Sequence, residues 1–152
     1  MPKVTIIGNT SWGNTLGVLL SAKGATVKLW ARSEAEAKEL NQGRRSYSST
    51  SHIGEALNGA DLAIWAVPSQ KLRENVSQAK NYLTNSMLLM SAAKGLEVDS
   101  GRRMSQVLAE EIAPSLRKQI CVLTGPTLAK EVSQALPTAS VIAAQDISLA
   151  ER

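Results

Sequence analysis

The chain contains no phenylalanine, and aromatic residues make up only 3% of its 152 residues. A core built with so few rings must be aliphatic, which suits strands rich in Val, Ile and Leu buried in a parallel sheet. The single cysteine, Cys121, excludes an internal disulfide; it lies in an apolar strand and reads as a small buried hydrophobe. The single histidine, His52, stands in a polar stretch with no cysteine or acidic cluster nearby, so it reads as solvent-facing and no metal site is expected. No apolar run is long enough to span a bilayer and no signal peptide precedes Lys3, so the expectation is a soluble, cytoplasmic protein with no membrane partner. The net charge of +4 is spread along the chain, without a basic stripe interleaved with aromatics, so no nucleic-acid groove is expected. There are no internal repeats and no low-complexity linker, and the length suits one domain over residues 1–152.

What is present is a regular alternation. Val4–Ile7 reads as a buried strand, followed by a helix over Asn14–Lys23 that Gly24 ends. Thr26–Trp30 is a second strand. Ser33 with Glu36 three residues on is a capping-box signature for a helix through Ala35 and Leu40, closed by Gly43. Arg44 to Ser51 is polar and serine-rich and reads as a loop with room for one weak strand. A short helix through Ile53, Ala56 and Leu57 ends at Gly59. Leu62–Val67 is an apolar strand stopped by Pro68, and Ser69 is placed to cap a helix through Leu72, Val76 and Leu83. Met87–Ala92 is the next buried strand. Gly101–Leu116 carries Met104, Val107, Leu108 and Ile112 at helical spacing, limited by Pro114. Ile120–Leu123, Leu128–Gln134 and Ala139–Ala144 read as strand, short helix and final strand. Strands separated by helices give an α/β fold, a doubly wound, mostly parallel sheet of the Rossmann-like dinucleotide-binding kind.

In such a fold ligands bind beyond the carboxyl ends of the strands, which picks out four places. The first is Gly8-Asn9-Thr10-Ser11-Trp12-Gly13, a glycine turn between a strand and a helix, where free N–H groups and the helix dipole face a pyrophosphate. Gly8 and Gly13 match the outer positions of G-x-G-x-x-G, but Thr10 replaces the middle glycine; by itself the stretch is equally an ordinary turn. The second is Trp30-Ala31-Arg32-Ser33. An acid that would bind ribose hydroxyls is missing from this strand end, and Arg32 offers a planar fork suited to a 2′-phosphate. Arg32 also reads as a solvated arginine, and Ser33 as a helix cap. The third is Val67-Pro68, an apolar wall or simply the edge of the core. The fourth combines Lys94, leaving a buried strand with three donors, and Thr124-Gly125-Pro126-Thr127, a second glycine turn before a helix. Lys94 can hold a phosphate or polarise a carbonyl oxygen, or be a surface lysine. Thr127 can donate to a ligand or cap its helix.

Taken together, these stretches resemble the N-terminal half of bacterial NAD(P)-dependent glycerol-3-phosphate dehydrogenases. The resemblance is carried by Gly8-x-x-Ser11-Trp12-Gly13, Leu29-Trp30-Ala31-Arg32, Ala66-Val67-Pro68-Ser69-Gln70 and Ala93-Lys94-Gly95. It continues through Thr124-Gly125-Pro126, Ala129-Lys130-Glu131 and Leu136-Pro137-Thr138. It implies reduction of dihydroxyacetone phosphate to glycerol 3-phosphate with NADPH, or NADH, as hydride donor, feeding phospholipid synthesis. Residue by residue, it implies that Ser11, Trp12 and Arg32 contact the dinucleotide and that Lys94 contacts both cofactor and substrate. Gly125 and Thr127 then lie along the substrate and Ala129 near the cofactor. Gly8, Thr10, Gly13, Ser33 and Pro68 complete the expected cofactor site.

Three departures accompany the resemblance. Thr10 stands where a glycine would let phosphates approach, so they sit farther off or meet its hydroxyl. Family members usually carry a longer segment before the Leu62 strand, with an Asn-Pro-Arg-Tyr-Leu-Pro-Gly-like stretch, which leaves Tyr47 without a counterpart. The family also has a helical C-terminal domain supplying a second lysine and most of the phosphate clamp, whereas this sequence ends at Arg152. The expectation is a cofactor domain inactive alone, completed by a helical partner or by a second copy of itself. A non-catalytic NADP-binding module or sensor, and the cofactor domain of another two-domain hydroxyacid dehydrogenase, are the alternatives.

Overall fold

Among the described residues the first six strands run parallel, each joined to the next by a crossover that returns the chain to the same end of the sheet, and the seventh is antiparallel. The computed structural model describes residues 1–43 and 45–152. Its strands are β1 (Lys3–Ile7), β2 (Thr26–Trp30), β3 (Ser48–Thr50), β4 (Leu62–Trp65), β5 (Leu88–Ser91), β6 (Ile120–Thr124) and β7 (Val141–Ala144). The helices are α1 (Ser11–Ala22), α2 (Glu34–Gln42), α3 (Ile53–Leu57), α4 (Leu72–Ala79), α5 (Met104–Glu111), α6 (Ala129–Ser133) and α7 (Ile147–Glu151). The strand order is β3-β2-β1-β4-β5-β6-β7, so the chain moves outward one way after β1 and the other way from β4. This is the doubly wound α/β arrangement read from the sequence, and the switch point lies between β1 and β4.

The strand pleat divides the aliphatic core into two layers. Ile6, Leu29, Ile64, Met90 and Cys121 pack with Leu16 of α1 and Leu40 of α2 on one face. Ile7, Trp30, Trp65 and Leu89 pack with Leu72 and Val76 of α4 and Val107 and Leu108 of α5 on the other. Val107 and Leu108 have no exposed surface, and burying each contributes about 1.5–3 kcal/mol. Cys121 is buried as expected, and burial pushes its thiol pKa up to about 11.

Several boundaries differ from the sequence reading, each for a local reason. Helix α1 starts at Ser11 rather than Asn14, because Thr10 is extended and caps it. Strand β4 ends two residues before Val67. Ser69 does not cap α4: Ser69–Lys71 form a 3₁₀ turn in which Lys71 N–H donates to Pro68 O, so the helix begins only at Leu72. Helix α5 covers Met104–Glu111 alone. The stretch before it doubles back, with Glu97 N–H donating to Arg102 O and Gly101 N–H to Glu97 O. Pro114 opens a separate 3₁₀ segment to Gln119. The weak strand expected near residue 50 is β3; Arg44 lies outside the described residues. The last strand, β7, runs antiparallel to β6. Tyr47 is buried against α1, where a Cβ at Gly17 would fall 2.8 Å from its ring. Its hydroxyl donates to Asn14 Oδ1 and accepts from Arg45.

Candidate functional site

The carboxyl ends of β1, β4, β5 and β6 open onto one cleft of about 370 Å³, lined by Thr10, Trp12, Pro68, Lys94, Thr127 and Ala129 among others. Six residues singled out from separate parts of the sequence therefore share one wall. Arg32 and Ser33 do not line it. They lie at the end of β2, on a shallow rim with Glu36 and Glu39.

The glycine turn is shaped by what it must avoid. Gly8 has φ +120°, and a Cβ there would meet Ala66 O and Val67 Cγ1 at 2.7 Å. At Gly13 a Cβ would lie 2.3 Å from Gly8 O, closer than any packing allows. The two glycines thus let the turn fold onto itself and onto the end of β4. Thr10 takes a structural part that its replacement of glycine did not disclose. Its hydroxyl accepts from Gly13 N–H at 3.0 Å, capping α1, and donates to Ala66 O at 2.7 Å, fastening the turn to the neighbouring strand. The N–H groups of Ser11 and Trp12, at the opening of α1, have no acceptor among the described residues and remain available to an anion. Trp12 Nε1 is buried without a partner. A turn closed by two glycines, with two free helix N–H groups, offers the donors that a pyrophosphate accepts from.

Lys94 joins two strand ends. Its Nζ donates to Gly125 O at 3.0 Å, Thr127 O at 2.9 Å and Thr127 Oγ1 at 3.3 Å. Gly125 has φ +130°, and a Cβ there would meet Ala139 O at 2.6 Å, so the β6–α6 turn needs glycine. Thr127 is buried and does not cap α6, whose cap residue is Leu128 with no side-chain bond. Its hydroxyl faces Lys94 instead.

At the end of β2, Ser33 does cap its helix, accepting from Glu36 N–H at 3.2 Å. The Glu36 carboxylate reaches one residue past the usual capping-box partner. It accepts from Arg32 N–H at 2.8 Å and from Asn9 Nδ2 at 2.8 Å, so it binds the glycine turn to the strand end. The Arg32 guanidinium stands 3.8 Å away, with its side chain 85% exposed. Burial pulls the Glu36 pKa up, but the bonds from Asn9 and Arg32 and the Arg32 charge outweigh it and hold the carboxyl below its usual range. The acid that the sequence lacked at the end of β2 is therefore supplied from the first turn of α2.

Two braces behind Lys94 also escaped sequence reading. Gln70 donates to Leu96 O at 2.7 Å and accepts from Val98 N–H at 3.0 Å, holding the loop that follows Lys94-Gly95 much as a strand partner would. Arg73 donates to both oxygens of Glu97 at 2.8 Å, and to Glu110 and Glu111 at 2.7 Å, tying that loop and α5 to α4. Neither brace has a local signature, because the partners lie 24 to 38 residues away. The Arg73 bonds, aided by Ser100, bring the Glu97 pKa down from 4.5 to about 2. A carboxylate whose folded pKa is lowered stabilises the fold above its unfolded value and loses that contribution as pH falls through the folded one. The melting temperature is therefore expected to drop as pH falls from about 4.5 toward 2, and to drop less across that window in Arg73→Ala. Thermal unfolding of both proteins across the window tests this; parallel declines would refute it.

His52 is exposed, with its nearest acid, Glu34, 3.9 Å away. Among the described residues no group of His, Cys, Asp and Glu is placed to hold a metal ion, and no helix is long and apolar enough to cross a membrane.

The chain is similar to known proteins in sequence and in fold. A family model described as NAD-dependent glycerol-3-phosphate dehydrogenase N-terminus matches residues 3–150. A glycerol-3-phosphate dehydrogenase, NAD(P)+, of Dehalococcoides mccartyi is 45% identical over an alignment covering 100% of this chain and 46% of that protein. One from Corynebacterium jeikeium is 38% identical, covering 99% and 49% respectively. The crystal structure of glycerol-3-phosphate dehydrogenase from Coxiella burnetii superposes with a TM-score of 0.85 at 26% identity, over 99% of this chain and 49% of that one. The chain thus spans about half the length of the relatives it matches. The Dehalococcoides alignment runs to 165 positions, so that relative has residues inside the matched span that this chain lacks.

Proposed function

We propose a function from one premise: the chain belongs to the NAD-dependent glycerol-3-phosphate dehydrogenase N-terminus family. On this reading it is the dinucleotide-binding half of an oxidoreductase that reduces dihydroxyacetone phosphate to glycerol 3-phosphate, with NADH or NADPH as donor. The observation that carries it is the single cleft joining the α1 N-terminus to Lys94 and Thr127.

When bound, the nicotinamide supplies the hydride. The residues of this chain do the rest by position and charge. Gly8 and Gly13 admit the pyrophosphate to the Ser11 and Trp12 N–H groups, and Thr10 holds the turn rigid behind them. Pro68 and Ala129 form apolar walls that keep water from the reacting face. Lys94 turns one of its three donors toward the substrate carbonyl oxygen and stabilises the negative charge that develops there. The Thr127 hydroxyl and the Gly125 turn lie along the substrate. The proton for that oxygen and most of the phosphate clamp are assigned, through the resemblance, to the half of the relatives that this chain does not span. Arg32, with its guanidinium in solvent, attracts a 2′-phosphate, which makes NADPH the favoured donor. The product feeds glycerophospholipid synthesis, and the reaction is placed in the cytoplasm.

Equilibrium binding of NADPH and NADH to the chain tests this reading. Saturable binding of both is expected, with NADPH the tighter. No binding of either at about 1 mM, the weak limit of specific recognition, would overturn it.

A further inference from the structure

We propose that Glu36 sets the balance between the two cofactor forms: its carboxylate accepts a hydroxyl of the adenosine ribose and opposes a phosphate in that place. The inference rests on the dinucleotide reading above and deepens it by assigning a selectivity residue.

In dinucleotide folds, contact with the ribose hydroxyls falls to an acid at the end of the second strand. Trp30-Ala31-Arg32 has none. The structure brings one there from α2. The bonds from Asn9 Nδ2 and Arg32 N–H hold each Glu36 oxygen at 2.8 Å, so the carboxylate is fixed between the glycine turn and the strand end. Its side chain is 18% exposed, covered on most sides with one edge open to the rim shared with Arg32 and Glu39. A carboxylate offers about four lone-pair sites, and the two close bonds leave capacity for a ribose hydroxyl.

The chemistry separates the two ligands. A hydroxyl donates to a carboxylate, whereas an ionised phosphate cannot, and the two negative charges repel. Arg32 acts in the opposite direction. At 3.8 Å and 85% exposed, its pairing with Glu36 is a weak solvent-facing contact, so the guanidinium is free to turn to a phosphate instead. One residue attracts the 2′-phosphate and the other opposes it, which keeps NADH usable in a site that carries an arginine.

Binding of NADH and NADPH to the full chain, with and without Glu36→Gln, tests the assignment. Glutamine keeps an acceptor for the Arg32 N–H but removes the charge. The variant is expected to raise NADPH affinity relative to NADH by about tenfold. Glu39→Gln, on the same rim but with no bond to the turn or strand end, is expected to leave the ratio within about twofold. A ratio unmoved by Glu36→Gln in a folded protein, or moved equally by Glu39→Gln, would overturn the proposal. Failure of the wild-type chain to bind either nucleotide would instead remove the dinucleotide reading, and this assignment with it; binding of NADPH with no binding of NADH would overturn this assignment alone.

Discussion

Replacing Gly13 with alanine is expected to weaken NADH and NADPH binding by at least about thirtyfold, equivalent to about 2 kcal/mol. The added Cβ would lie 2.3 Å from Gly8 O and 3.4 Å from Ala66 Cβ. The first contact is with backbone, which cannot rotate away as a flexible side chain can. Relief requires the turn to open or α1 to shift outward. Either movement displaces the Ser11 and Trp12 N–H groups and breaks the bond from Gly13 N–H to Thr10 Oγ1. Part of the cost appears as lost stability, because overpacking typically costs about 1–3 kcal/mol. Titration of both nucleotides beside a thermal melt separates the two effects. A folded variant with wild-type affinity would show that the pyrophosphate does not sit on this turn.

The second large effect is expected at Lys94. Its three hydrogen bonds to Gly125 and Thr127 leave two explanations in competition: a strut between β5 and the β6–α6 turn, or a donor that turns to the substrate. Lys94→Ala is expected to lower kcat for dihydroxyacetone-phosphate-dependent NADPH oxidation, in the protein carrying this chain, by about 100-fold or more. NADPH affinity should change far less, because the pyrophosphate contacts lie on α1. Lys94→Arg keeps the charge but presents a planar fork in place of a compact ammonium, and should restore little of the rate. A drop in melting temperature with kcat unchanged would reduce Lys94 to a strut and favour a non-catalytic binding module.

The parts of the site that were legible in the sequence share a property. Gly8, Arg32, Lys94 and Gly125 each stand within three residues of a strand's end, and Gly13 lies in the first turn of the helix after β1; position along the chain is enough to put them at the carboxyl edge of the sheet. Thr10 was visible only as a departure from a glycine pattern. Its actual bonds, one to Gly13 and one to Ala66, depend on β4 lying next to β1, a pairing across more than fifty residues of sequence. Glu36 was legible as the capping partner of Ser33. Its link to Asn9 was not, because that link requires the glycine turn and the end of β2 to meet in space. Gln70 stood in a motif block, but its bonds to Leu96 and Val98, like those of Arg73 to its three glutamates, gave no signal for the same reason.

By itself, then, the sequence determined the alternation of aliphatic strands and helices, the two glycine turns and the order of the motif blocks. These follow from periodicity and backbone freedom, which act over a few residues. Tertiary structure decided which strand ends adjoin, that β7 runs antiparallel, that Ser69 makes a 3₁₀ turn rather than a cap, and that an acid returns to the end of β2. An apolar strand of four residues can pair in either direction at little difference in stability, and a carboxylate three residues into a helix can face solvent or a neighbour. Only the packing of distant segments breaks such ties, because the hydrogen bonds that decide them form between groups the chain does not hold together locally.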